Sequence, residues 1–275
     1  MKAYITFHPK DRKTIRPCIT GLHQYCQISD IVVIAPKEAQ TIVKKLPVVF
    51  IDENKVVNGA HSNSVNHPRW GWYFQQILKL GIAWIEQSSY YLVVDADTVF
   101  LNPVSFFNTD GRPYYTQAWE FHEPYFEVFE HLLGFRPLRE NSFIAHHMIF
   151  RTDYVREMCL AFKPLNPWWK NIAKLVKPQP PWNSNSQFSE YETYGHYIKT
   201  CHPEEMIIRQ LRWRNSHELP SRRELDRLAR DLDFCSFQDY LRDEHRLSRP
   251  WRLKLQRIKQ TLLSLILRFL QYHHA

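Results

Sequence analysis

The run Tyr90-Tyr91-Leu92-Val93-Val94 is apolar and rich in β-formers, and it stops in two carboxylates one residue apart, Asp95 and Asp97. Such a run reads as a buried strand. In open α/β sheets, ligands sit outside the carboxyl ends of the strands, which is where these two acids fall. Two oxygen ligands suit a hard divalent cation, which needs only one or two carboxylates when phosphates supply the rest. An exposed turn with two acids is the plain alternative. The strand before the acids and Val99-Phe100-Leu101-Asn102-Pro103 after them favour a metal–phosphate site.

The flanking pattern places this strand in a parallel α/β sheet. Residues 2–7 read as a strand, 15–25 as a helix, and 30–35 (Asp-Ile-Val-Val-Ile-Ala) as a second strand closed by Pro36. Residues 47–51 give a third, followed by Asp52-Glu53. Strand, helix, strand is the opening of such a sheet. With seven Gly in the whole chain, neither a dinucleotide fingerprint nor a P-loop is present.

Composition narrows the class. A chain of 275 residues with 44% hydrophobic and 23% charged residues can bury a full core. Five scattered cysteines show no metal-type spacing, and the first residues hold too short an apolar stretch for a signal peptide. No run approaches the roughly 18 apolar residues of a membrane span. These features predict a cytoplasmic setting with free thiols. The net charge of +8 is unevenly placed. Seven of the 36 basic residues fall in 245–275, which has no acid, leaving 29 basic against 28 acidic residues before it. A neutral body lacks the basic face of a nucleic-acid binder.

Other candidates follow along the chain. Residues 69–87 read as a helix feeding the Asp95 strand, with Trp72, Gln75, Gln76 and Lys79 on one stripe, either solvated or turned to the same ligand. Residues 142–150 read as a strand containing His146-His147, of which at most one faces a given site. Residues 163–186, with five Pro and three Trp, read as a loop. Ser189 is an expected N-cap. Glu190 and Glu192 after it are either first-turn acids or acceptor-side catalytic groups. Residues 222–242 read as a charged helical segment. In 245–275, Trp251, Leu255, Ile258, Leu262, Leu265 and Phe269 draw one apolar stripe on a basic helix. That pattern predicts contact with an anionic membrane surface, the alternative being a tail that docks on its own domain or dimerises.

Three blocks resemble a known family. Gly71-Trp72-Tyr73-Phe74-Gln75-Gln76-Ile77-Leu78-Lys79, Asp95-Ala96-Asp97 and Ser189-Glu190-Tyr191-Glu192-Thr193-Tyr194-Gly195 stand in the order found in bacterial glycosyltransferase-like proteins with an A-type core. The resemblance covers about residues 1–215. It implies a GT-A-like α/β sandwich with a mixed, mostly parallel sheet; the helical appendage over 216–244 and the tail helix over 245–275 lie outside it and are expected from the residue pattern alone. The resemblance implies a class of activity, glycosyl transfer, and gives no substrate. With the metal–phosphate reading of Asp95 and Asp97 and the basic tail, the expectation is metal-dependent transfer of a sugar from a nucleotide-sugar donor to a saccharide or lipid-linked acceptor, in cell-surface polysaccharide synthesis. Asp95, Asp97 and one histidine, His147 or His146, would hold Mn²⁺ or Mg²⁺. Lys79 and Gln75 would assist at the phosphates. Thr6, Asp11 and Asp52 would line the base and ribose, and Glu190 or Glu192 would serve the acceptor. A dehalogenase-like phosphatase with Asp95 as nucleophile also ends a strand in Asp-x-Asp, but it normally begins near that motif, whereas here some 90 residues of α/β pattern come first. A non-catalytic sugar- or nucleotide-binding protein and a membrane-surface adaptor are the remaining alternatives.

Overall fold

Short apolar runs separated by amphipathic helices build the layers. The computed structural model describes residues 1–162, 164–178, 186–216 and 221–237, all within one compact unit, Met1–Phe237. In chain order the main elements are β1 (Lys2–Thr6), α1 (Ile15–Cys26), β2 (Ile31–Ala35), α2 (Gln40–Val43), β3 (Val49–Asp52) and α3 (Trp70–Gly81). There follow β4 (Tyr90–Val94), β5 (Thr98–Phe100), β6 (Tyr114–Thr116), α4 (Glu123–Leu133), β7 (His147–Arg151) and α5 (Thr152–Ala161). The last are α6 (Trp169–Leu175), α7 (Glu190–Cys201), β8 (Ile207–Arg209), β9 (Trp213–Ser216), α8 (Arg222–Leu228) and β10 (Phe234–Phe237).

The central sheet has five strands in the order β3-β2-β1-β4-β7. The first four run parallel, and β7 joins β4 antiparallel with Val94 opposite His147. The mixed, mostly parallel sheet expected from the sequence is therefore present. Side chains alternate across it. Tyr4, Val32, Ile34, Tyr91 and Val93 pack on one face against Tyr73 and Ile77 of α3 and Tyr194 of α7. Ile5, Val33, Leu92 and Val94 pack on the other against Ile19 and Leu22 of α1. Because both faces are covered, these strands read as unbroken apolar runs. Gly21 lets α1 lie directly on β5, since a Cβ there would stand 2.8 Å from the Phe100 carbonyl oxygen. Two smaller sheets, β5-β10-β9 and β6-β8, flank the carboxyl edge.

Several segments differ from expectation. The helix read over 69–87 ends at Gly81 and tightens into a 3₁₀ turn, Ile82–Trp84. The strand read over 142–150 forms only from His147, because His146 takes a left-handed φ of 61° that no extended strand tolerates. Within the expected loop 163–186, α6 forms with Asn171 bonding back to three carbonyls, those of Phe162, Leu165 and Trp168. Among the described residues of the charged stretch 222–242, the short helix α8 is opened by a Ser221–Glu224 capping box and is followed by the strand β10. Phe234, Cys235, Ser236 and Phe237 are all buried, so four residues suffice to extend the sheet from β5. The tail helix read over 245–275 lies outside the described residues. Among the described residues, no helix is long and apolar enough to cross a membrane.

Candidate active site

Three stretches far apart in sequence converge on one lysine. The last turn of α3 delivers Lys79, which is only 6% exposed. Its Nζ lies 2.5 Å from Asp95 Oδ1 and 2.6 Å from Glu190 Oε1, and it donates to the Tyr191 hydroxyl at 3.3 Å. Tyr191 in turn donates to Asp95 Oδ1 at 2.8 Å. Three ammonium protons thus meet three oxygen acceptors. Burial opposes the charge on Lys79, but Asp95 and Glu190 outweigh it and hold the ammonium well above its ordinary range. Burial also works against ionised Asp95. The charge of Lys79 and the hydrogen bond to His146 overcome it, and Asp95 sits well below the usual carboxylate range. Glu190 is raised by burial, with Lys79 pulling the other way.

Asp97 is the other half of the motif and lives differently. Its Oδ1 accepts from Ser236 Oγ at 3.2 Å, and its backbone carbonyl accepts from Phe237 N–H at 2.9 Å. Burial, then the charge of Asp95, push its carboxyl up to about 7, and Asp11 adds to the push. Opposite Asp95, His146 turns Nδ1 to Asp95 Oδ2 at 3.3 Å. Burial lowers its pKa, but the bond to Asp95 and the charges of Asp95 and Asp97 raise it on balance. The positive φ turns the two adjacent imidazoles to different neighbours. His146 meets the carboxylates, while His147 is fully enclosed by Phe100, Phe106 and Phe234. His147 Nε2 lies 3.0 Å from Thr116 Oγ1, and burial, with Arg209 nearby, lowers its pKa to about 3. The structure therefore brings His146, not His147, to the acids.

Among the described residues no group of three or more His, Cys, Asp or Glu is arranged to hold a metal ion. Asp97 and Asp95 nevertheless fit a hard cation that takes its remaining oxygens from phosphates. Asp95 has Lys79 for a counterion, whereas Asp97 is held by a serine hydroxyl, and burial and the charge of Asp95 raise its carboxyl to about 7.

The remaining sequence candidates divide. Gln76, rather than Gln75, reaches the cluster, its Oε1 accepting the Glu190 N–H at 3.1 Å. Gln75 is half-buried one residue away on α3. Glu190 is clamped on Lys79. Glu192 points elsewhere, accepting from Ser142 Oγ at 3.2 Å and Phe143 N at 2.8 Å. Both are 2% exposed, so each holds structure in place and neither opens to an acceptor. Two residues on a helix are about 200° apart, which explains the split. Ser189 caps α7 as expected, accepting from Glu192 N at 3.3 Å. Thr6 ends β1, Asp11 closes the turn Pro9–Asp11, and Asp52 ends β3, where it caps the next turn by accepting from Asn54 N at 3.0 Å. Because β3, β2, β1 and β4 are parallel, Asp52, Thr6 and Asp95 share one sheet edge. Three strand spacings from Asp52 to Asp95 span about 14 Å.

Tyr191 and Ser236 were not singled out from the sequence. Tyr191 stands inside the third block between the two glutamates, and Ser236 carries no local signal. The blocks are now legible as contacts. Tyr73 accepts from Gln187 N at 3.0 Å, Gln76 and Lys79 hold Glu190, and Tyr194 accepts from Arg151 N at 2.8 Å. Gly195 leaves room for Phe143, whose ring would lie 2.4 Å from an added Cβ.

No curated protein matches the chain by sequence. Among solved structures, mouse xyloside xylosyltransferase 1 in its apo form is similar at 11% identity and a TM-score of 0.48, over 88% of this chain and 99% of that one. The apo structure of WbbM, a bifunctional glycosyltransferase, is similar at 13% identity and a TM-score of 0.47. That match covers 94% of this chain, which spans about half (51%) of WbbM. A family model does match most of the sequence, over residues 19–227, and the chain belongs to that family, the family of unknown function DUF6492.

Proposed function

We propose that this protein is a glycosyltransferase of GT-A type that takes a sugar from a nucleotide diphosphate donor. The observation that carries the reading is the unequal treatment of two acids at the carboxyl edge of a parallel sheet. Asp95 is fixed and neutralised by Lys79, while Asp97 is left with a hydroxyl donor and a raised pKa. The order of the three sequence blocks supports it, since all three meet at Lys79.

In this reading Asp97, with Asp95 beside it, would hold Mn²⁺ or Mg²⁺, which would supply charge neutralisation for a diphosphate leaving group. Lys79 keeps Asp95 in place with its three donors engaged by Asp95, Glu190 and Tyr191, and His146 Nδ1 stands on the other carboxylate oxygen. Asp52, Thr6 and Asp11 line the edge on which nucleoside and ribose lie. The acceptor is a saccharide, free or lipid-linked, and the basic stretch 245–275 brings a cytoplasmic enzyme to the inner face of an anionic membrane.

Thermal stability against nucleoside diphosphates, with Mn²⁺ or with chelator, tests the site, because a ligand that binds only the native state raises the melting temperature. A metal-dependent rise with one nucleotide, lost in Asp97→Ala, is expected. No rise with any nucleotide, together with stabilisation by beryllofluoride, overturns the reading in favour of the phosphatase. Sedimentation with anionic vesicles, comparing the full chain with one ending at Phe237, tests the membrane contact.

A further inference from the structure

Beside the carboxylates lies a feature that the donor site does not use. Trp119 and Phe121 follow β6 and are 44% and 52% exposed, two large rings on one short surface segment. Trp119 stacks on Trp213 with ring centroids 6.2 Å apart and planes 26° apart. Trp213 stacks on Phe234 at 5.3 Å on one side and meets the His146 ring edge-on at 5.2 Å. One aromatic path therefore leads from the Asp95–His146 pair out to an exposed indole.

The platform is anchored. Gln117 N–H donates to the Arg209 carbonyl at 2.8 Å, and Ala118 N–H to the Ser142 carbonyl at 2.7 Å. Beyond it, His122 Nε2 lies 2.6 Å from the Ser186 carbonyl, and Tyr125 donates to Ser186 Oγ at 2.8 Å. Its surroundings are polar. Glu120, between Trp119 and Phe121 in the chain, is exposed, and the Gln210 amide donates to Gln117 Oε1 at 3.4 Å. An apolar partner surface would want an apolar rim. A flat ring with hydrogen-bonding groups at its edge is the chemistry of a pyranose, which offers C–H bonds on one face and hydroxyls around it.

We infer that Trp119, backed by Trp213 and flanked by Glu120, is the acceptor subsite and binds one ring face of a saccharide. This rests on the transferase reading for its name but on its own residues for its existence. It also supplies an exposed carboxylate on the acceptor side, which the buried Glu190 and Glu192 do not.

Saturation-transfer NMR with millimolar methyl β-D-galactopyranoside, methyl β-D-glucopyranoside and methyl α-D-mannopyranoside tests it. With wild-type protein, one pyranoside should receive saturation on the hydrogens of a single ring face. Affinity should fall about tenfold in Trp119→Ala, while Trp119→Phe retains most of it. The nucleotide-dependent thermal shift, measured on the same Trp119→Ala sample, should persist and shows that the variant is folded. Absence of saturation with all three sugars, or equal signals from wild type and Trp119→Ala, overturns the subsite and leaves the donor reading standing. Trp119-dependent sugar binding with no nucleotide shift in wild type does the reverse.

Discussion

A carboxylate stands at each end of β4, Glu86 buried and Asp97 half-buried, and the protein treats them oppositely. Just before the strand, Glu86 accepts from Gln87 N and Ser88 N at 2.7 Å, from Tyr4 OH at 2.7 Å and from Lys2 at 3.4 Å. Burial alone would raise its pKa, but these donors bring it down to about 2. Just after the strand, Asp97 has a serine hydroxyl, a neighbouring carboxylate and a pKa pushed up to about 7. A carboxylate whose acceptors are filled is finished and serves the fold. One raised by burial and by a second carboxylate is of the kind that concentrates where ligands bind.

The comparison breaks first at Asp97. Asp97→Ala should abolish metal-dependent nucleotide binding and cut turnover on the order of 1000-fold, with the ligand-free melting temperature unchanged or higher. A variant that keeps the metal-dependent shift would remove Asp97 from the site. Lys79→Ala comes next, since it leaves Asp95 and Glu190 facing each other without a cation. Breaking a buried pair of this kind costs about 4 kcal/mol, readable as a lower urea midpoint with an unchanged slope.

Glu86→Ala sharpens the contrast, because it should cost about 2 kcal/mol at neutral pH yet leave nucleotide binding intact. The folded-state pKa of Glu86 lies below its unfolded value of about 4.5. Its contribution is therefore full above that pH and is lost as pH falls through about 2. Denaturation curves of wild type and variant should converge over that window. The smallest effect belongs to Ser189→Ala, which removes the cap of α7 and should cost about 1 kcal/mol.

Much of this arrangement is visible in the sequence because it is local. The runs of β1, β2 and β4 announce themselves by apolar β-formers, and the cap at Ser189 by its position before two acids. What escaped depends on partners or on one dihedral angle. The positive φ of His146 decides which imidazole meets Asp95, and no side-chain pattern records it. The division between Glu190 and Glu192 follows from helix geometry and could have been drawn. β10 could not, because its four residues sit among charges and form a strand only by pairing with β5 and β9.

That last strand has a consequence for how the protein is made. Ser236 is 139 residues from Asp97 in the chain, and pairings of such span form late, after the loop entropy has been overcome. During vectorial synthesis the acids of β4 emerge long before the strand that completes their surroundings. A fragment ending at 215, where the sequence pattern places the edge of the catalytic domain, would carry both aspartates and all three blocks yet lack the serine and the strand beside Asp97. Maturation of the site is thereby deferred until nearly the whole compact unit has left the ribosome, so truncated products hold the motif without its finished environment.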